Sequence, residues 1–245
     1  MIRAIIAVIF VVLFLIVSIP IFFIEWILSK FAPHAADMSS LRIVQWAFKV
    51  VNFICGTHVT VIGEENVPTD EAVLYVGNHR SIFDIVICYP RCPGLTGFIA
   101  KPSLMKIPLL GIWMKRLYCL SIDRENNREA LKTILKGIDQ LKNGISMYIF
   151  PEGTRSKDPN GTLLRFKEGS MKLAEKSGCR IVPVAIVNTE ACFENQFPRV
   201  RSSHIILEYG APIDVKSLSK EEKKVLGATI QEQIQTMVNK NIPLV

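Results

Sequence analysis

The sequence lacks the short motifs that mark several large enzyme classes. Its six cysteines (Cys55, Cys88, Cys92, Cys119, Cys179 and Cys192) form no C-x-x-C pair, and there is no H-E-x-x-H, so nothing in it spells a dithiol centre or a zinc-binding helix. Without G-x-S-x-G it has no nucleophile elbow of the hydrolase kind. Without G-x-x-x-x-G-K-[ST] or G-x-G-x-x-G it has no glycine loop for a nucleotide. Internal repeats, low-complexity stretches and a linker to a second domain are also missing. Charge is absent where its absence says most: the run from Ala4 to Ile24 holds no Asp, Glu, Lys or Arg.

As a helix, that uncharged run reaches roughly 32 Å, about the thickness of a bilayer's hydrocarbon core. It exceeds the roughly 7 to 15 apolar residues of a signal peptide, and Pro20 falls late within it, so it reads as a retained anchor. Trp26 and Lys30 suit an interfacial anchor, and Pro20 suits a kink. Two arrangements stay open: a single span, or a helix lying in the surface and followed by a second, amphipathic helix near 39–54. Lys30, Arg42 and Lys49 follow the run and Arg3 precedes it, which puts the body on the cytoplasmic face of the membrane. In that reducing compartment the cysteines are expected as thiols.

Over the whole chain 49% of residues are hydrophobic and 21% are charged, which excludes disorder. Arg3 and Glu25 cancel, so the formal charge of +7 belongs to the body and calls for anionic partners. Nucleic acid would suit the charge but not the apolar run, so a lipid surface and phosphorylated substrates are expected and nucleic acid is not. Beyond residue 56, strands are expected near 57–62, 72–77, 96–100, 117–122, 145–150, 181–187 and 204–209. Helices are expected near 82–89, 103–114, 128–142, 168–177 and 219–239. That alternation predicts a single α/β domain over 55–245, with a mixed or mostly parallel sheet of about seven strands flanked by helices, preceded by a membrane-anchoring helical segment over 1–54.

Three expected strand ends carry polar residues. The apolar stretch Val73-Leu-Tyr-Val-Gly77 runs into Asn78 and His79, at the carboxyl edge where open α/β sheets bind ligands. Ser81 suits the N-cap of the next helix, whose first turn brings Asp84 within reach of the His79 imidazole. Such a pair fixes one tautomer and lets the other ring nitrogen take a proton from a hydroxyl. The same residues also suit a structural histidine, with Asp84 merely favouring a helix N-terminus. Next, Phe98-Ile-Ala-Lys101 puts a lysine where a strand turns into an apolar helix. Residues 91–128 carry seven basic side chains, Arg124 among them at a strand end, against Asp123 and Glu125. That excess suits either solvated surface or an anion site that includes Lys101. In Ile149-Phe-Pro-Glu-Gly-Thr-Arg155, Pro151 and Gly153 break the strand and leave Glu152 and Arg155 at the same edge as His79. Arginine offers a planar donor fork suited to phosphate, and Glu152 either holds that fork or orients the loop; a plain turn with an ion pair is the alternative.

In order, spacing and residue type, four blocks resemble the glycerophospholipid acyltransferase family over most of residues 70–187: Asn78-His79-x4-Asp84, Phe98-Ile-x-Lys101…Pro108…Gly111, Phe150-Pro-Glu-Gly-Thr-Arg155 and Ile181-Val-Pro-Val-Ala-Ile186. A lone His-x4-Asp recurs by chance, whereas four ordered blocks are specific. Ser103 departs from the pattern, since many members carry Glu there. The resemblance implies transfer of an acyl group from acyl-CoA or acyl carrier protein to the sn-2 hydroxyl of 1-acyl-glycerol 3-phosphate, giving phosphatidate for phospholipid synthesis. Glycerol 3-phosphate or another lysolipid is the alternative acceptor, and a non-enzymatic lipid-binding protein is the remote alternative. It further implies His79 as general base oriented by Asp84, with the hydroxyl attacking the thioester directly. Lys101, Arg124, Glu152, Gly153, Thr154 and Arg155 become the substrate-binding set, Lys101 and Arg155 on the phosphate and Glu152 supporting the loop. Backbone amides around Gly153 or in the second block are expected to bind the oxyanion, and no metal or cofactor beyond the thioester co-substrate is implied.

Overall fold

The computed structural model describes residues 1–122 and 127–245, so Arg124 of the expected substrate-binding set lies outside the described residues. The described helices are α1 (Ile2–Phe31), α2 (Pro33–Cys55), α3 (Phe83–Cys88), α4 (Pro102–Met105), α5 (Leu110–Arg116), α6 (Asn127–Lys142), α7 (Lys172–Ser177), α8 (Lys220–Lys224) and α9 (Leu226–Asn241). The strands are β1 (Thr57–Ile62), β2 (Val73–Gly77), β3 (Thr96–Ala100), β4 (Leu120–Ser121), β5 (Ser146–Ile149), β6 (Arg180–Val187) and β7 (Ser203–Tyr209). They make one mixed sheet in the order β1-β7-β6-β2-β5-β3-β4. Neighbours from β6 to β4 run parallel, β7 is antiparallel to β6, and β1 is parallel to β7. The carboxyl ends of β2, β5, β3 and β6 therefore share one edge.

The central strands are continuous apolar runs because both faces are covered. Alternate residues still divide between the faces. Leu74, Val76, Met147, Ile149 and Ile181 pack towards α6, α7 and α9. Val73, Tyr75, Tyr148, Val182 and Val184 pack towards α2, α3 and α5. Proline is unusual inside such a sheet, since it has no N–H for the ladder. Pro183 is accommodated where β7 runs out: the ladder's last pair is Val184 with Tyr209, the next bridge joins Ile181 to Ile213, and Gly210 N–H donates to the Pro183 carbonyl at 2.8 Å. At the carboxyl end of β2, the buried Asn78 amide takes over from the backbone. It donates to Ile186 C=O at 2.9 Å and accepts from Ile186 N–H at 2.8 Å, extending the β2–β6 pairing by one residue.

Helical periodicity over 103–114 runs on through a real break. Pro108 has no N–H to donate and Leu109 stands at φ 60°, so α4 ends and α5 begins afresh. The strand expected over 117–122 shrinks to β4 because Tyr118 adopts φ 58°. The last helix divides at Val225, after α8 is started by a capping box in which Ser219 Oγ accepts from Glu222 N–H and Glu222 accepts from Ser219 N–H.

Helix α1 passes through Pro20 and is long and apolar enough to cross a membrane. One face of it belongs to the body. Phe14, Ser18, Ile21, Phe22 and Glu25 fall at helical spacing and turn inward. Trp113 Nε1 donates to the buried Ser18 hydroxyl at 2.8 Å, and Arg116 donates to the buried Glu25 carboxylate at 3.1 Å. Near its start, Arg3 reaches the Cys55 carbonyl at 3.3 Å. Ile2, Ile9, Ile16 and Phe23, spaced by sevens, face outward and are exposed. Lys30 lies over the Trp26 ring. Substituting Asn78 by Ala strands the buried N–H and C=O of Ile186 and lowers stability by about 2–4 kcal/mol, read as a fall in the denaturation midpoint of the detergent-solubilised chain.

Candidate active site

His79 leaves β2 one residue beyond Asn78, and its backbone is held on both sides by the loop that leaves β5. Its N–H donates to Glu152 Oε1 at 2.7 Å, and its C=O accepts from Ser156 N–H at 2.8 Å. The imidazole stacks on Phe150, with ring centroids 4.3 Å apart. Its Nδ1 donates to Asp84 Oδ2 at 2.6 Å. The acceptor there is a carboxylate, which assigns the proton to Nδ1 and leaves Nε2 with a free lone pair. Among the described residues nothing claims Nε2, and the side chain is 20% exposed.

Asp84 is fully buried, and both its oxygens are satisfied. Oδ2 also accepts from the N–H groups of Arg80 and Ser81, at 2.8 and 2.9 Å, while Oδ1 accepts from Thr189 Oγ1 at 2.5 Å. The N-cap position of α3 falls on Ile82 and not on Ser81 as the sequence suggests; Ser81 stands one residue earlier and its Oγ accepts from Phe83 N–H at 3.0 Å. The neighbouring Ile82 N–H is capped by Glu194 Oε1 at 2.9 Å, a residue from far along the chain.

The loop after β5 bears on the two contacts open to Glu152, the Arg155 fork or the loop backbone. Glu152 does not hold the Arg155 fork. It is buried, and its second oxygen accepts from Leu164 N–H at 2.8 Å, so its carboxylate ties the His79 backbone to the irregular segment that leads to α7. This corresponds to the loop-orienting role, not to an exposed contact with substrate. Burial pushes its pKa up, against the pull of the two backbone donors and of His79. Gly153 stands at φ 76°, where glycine is favoured, and its N–H is committed to Phe150 C=O at 3.0 Å, so that amide is not available to an oxyanion. Thr154 and Arg155 are exposed, and Arg155 donates to Glu194 Oε1 at 2.7 Å. Lys101 is exposed at the N-cap of α4, directly after β3 and on the same sheet edge; among the described residues nothing pairs with it.

The segment following β6 went unread in the sequence. Residues 188–202 supply Thr189 to Asp84, Glu194 to Ser81, Ile82 and Arg155, and Glu190 to Arg80 Nε at 2.6 Å. A signal for it was present. Asn188-Thr-Glu190 directly follows a buried apolar strand, the same pattern that singles out His79 and Glu152.

An imidazole with one nitrogen held by a buried carboxylate and the other unclaimed, at the carboxyl edge of an α/β sheet, makes a general-base site of the kind that activates a hydroxyl. The family model described as acyltransferase matches residues 58–187, and the chain belongs to that family. It is 32% identical over 80% of its length to the 1-acyl-sn-glycerol-3-phosphate acyltransferase of Borreliella burgdorferi, of which it covers 77%. It is 31% identical over 79% of its length to the protein of the same name in Saccharomyces cerevisiae, of which it covers 65%. The crystal structure of the 1-acyl-sn-glycerophosphate acyltransferase PlsC from Thermotoga maritima superposes with a TM-score of 0.73 at 26% identity, covering 97% of this chain and 98% of that one.

A raised folded-state pKa at Glu152 means the native state binds a proton more readily than the unfolded chain. The associated stability is fully present below the ordinary value of 4.5 and is lost as pH rises through the raised value. The stability of the wild type relative to Glu152→Gln is accordingly expected to fall as pH rises from about 4.5 and then level off, in denaturant titrations run at each pH.

Proposed function

We propose that this chain is a 1-acyl-glycerol-3-phosphate acyltransferase, transferring an acyl group from a thioester to the sn-2 hydroxyl of its acceptor to give phosphatidate. The observation that carries the reading is the His79–Asp84 pair with Nε2 open at the sheet edge; relatives bearing that name support the acceptor. His79 Nε2 takes the hydroxyl proton as the oxygen attacks the thioester carbonyl. Asp84, fixed by Thr189 and two backbone amides, holds Nδ1–H and stabilises the imidazolium. The tetrahedral intermediate collapses with loss of the thiolate, which recovers the proton from His79. No covalent acyl-enzyme is needed, and no cofactor beyond the thioester, acyl-CoA or acyl carrier protein.

Lys101 and Arg155 bind the acceptor phosphate, the lysine as a point charge and the arginine as a fork. Arg124 adds positive charge to the same set. Glu152, Gly153 and Thr154 shape the loop that presents Arg155. Residues 1–54 anchor the chain on the bilayer through the outward face of α1, and residues 55–245 form the catalytic domain on the cytoplasmic face. An anchored body can draw its lysophosphatidate acceptor from the lipid without extracting it into water.

The test is acyl transfer from an acyl-CoA to 1-acyl-glycerol 3-phosphate in vesicles, with glycerol 3-phosphate in parallel. Phosphatidate is the expected product, with little product from glycerol 3-phosphate. His79→Ala is expected to reduce kcat by about 10²- to 10⁴-fold while the protein still folds. Activity only with glycerol 3-phosphate or another lysolipid would move the acceptor. Full activity in His79→Ala would remove the mechanism.

A further inference from the structure

The Glu194 carboxylate lies where one group serves two purposes. Its Oε2 accepts from Ser81 Oγ at 2.5 Å, and its Oε1 accepts from Ile82 N–H at 2.9 Å and from Arg155 Nη1 at 2.7 Å. Two of these contacts fasten it to the chain entering α3, two and three residues beyond His79. The third engages the arginine assigned above to the acceptor phosphate. The two partners are unequally held. Glu194 keeps 23% of its side chain exposed, whereas Arg155 keeps 48% and has this carboxylate as its polar contact among the described residues. The segment bearing Glu194 is folded on itself, with Cys192 N–H on Thr189 C=O at 3.1 Å and Asn195 N–H on Glu190 C=O at 2.9 Å. Glu194 is thus the fixed partner and Arg155 the movable one. A carboxylate and a phosphate offer a guanidinium the same arrangement of acceptor oxygens.

We infer that Glu194 is a resting-state stand-in for the acceptor phosphate: it holds Arg155 beside the His79–Asp84 pair while the site is empty, and Arg155 must leave it to engage the acceptor. The inference rests on the reading of Arg155 as a phosphate ligand. Glu194 is a positioning residue that acts through Arg155. It lowers the fraction of enzyme with a free guanidinium, and every anion that uses Arg155 has its apparent dissociation constant raised by the same factor. For an ion pair this exposed the factor is about two- to fivefold. In exchange, the empty site keeps the start of α3 capped and Arg155 close to the base, and weakly binding anions are held off.

The experiment uses the full chain in detergent, with an acyl-CoA as donor, 1-acyl-glycerol 3-phosphate as varied acceptor and inorganic phosphate as competing anion. Glu194→Gln retains an oxygen for Ile82 N–H but removes the charge from Arg155. It is expected to lower the acceptor KM and the phosphate inhibition constant by the same factor, about two- to fivefold, while the donor KM stays put. With Arg155→Ala as background, adding Glu194→Gln is expected to move neither constant. A merely structural Glu194 would raise the acceptor KM or leave it unchanged; that result, with Arg155→Ala alone raising the acceptor KM, overturns the stand-in and spares the phosphate reading. An acceptor KM indifferent to Arg155→Ala overturns both. If Glu194→Gln melts below the assay temperature, both constants are read for it and for the wild type at a lower temperature at which the variant is folded, and the same fall in both is expected.

Discussion

The structure turns on one buried charge. A carboxylate removed from water is strongly unfavourable unless it is hydrogen-bonded on every side, and Asp84 is fully buried. Its four donors come from three places: the His79 ring, the Arg80 and Ser81 amides, and the Thr189 hydroxyl on a segment 105 residues away. Satisfying that charge forces the chain between β2 and α3 into one conformation and pulls residues 188–202 across the sheet edge. The imidazole is oriented as a by-product of the same requirement. The geometry that makes the carboxylate tolerable is therefore the same geometry that leaves Nε2 open.

A second carboxylate repeats the device with a different purpose. Glu152 uses both oxygens on backbone amides, one at His79 and one at Leu164, so the β2 and β5 loops are fastened by a side chain where the parallel ladder has already ended. Asn78 does the same between β2 and β6. Parallel strands diverge at their carboxyl ends as the sheet twists, and side-chain amides and carboxylates are what bridge the widening gap. The polar residues of the site are in this sense continuations of the sheet.

Much of this was legible in the sequence, for identifiable reasons. The strands over 57–62 and 96–100 appear as expected, and the apolar runs at 73–77 and 181–187 carry a pattern that needs little context. His79 with Asp84 was legible because five residues span one turn, a local relation. What was not legible is the long-range pairing: that Thr189 completes Asp84, and that Arg155 meets Glu194 instead of Glu152. These depend on which strands lie side by side, and the order β6-β2-β5 is not visible in any window of sequence. The break at Pro108 and Leu109 was missed because apolar spacing continues through it, and a backbone at positive φ leaves no trace in such spacing.

Helix α1 illustrates a constraint of phase. Its apolar surface alone would tolerate any rotation about its axis, but Ser18 and Glu25, seven residues apart, are keyed to Trp113 and Arg116 on the body. One residue inserted between them would turn one half of the helix relative to the other by about 100°, carrying one of the two keys out of its lock. The helix can drift freely in hydrophobic composition along its outer stripe but not in the count of residues along its length. The orientation of the body relative to that outer stripe is thereby written into the register of a single helix.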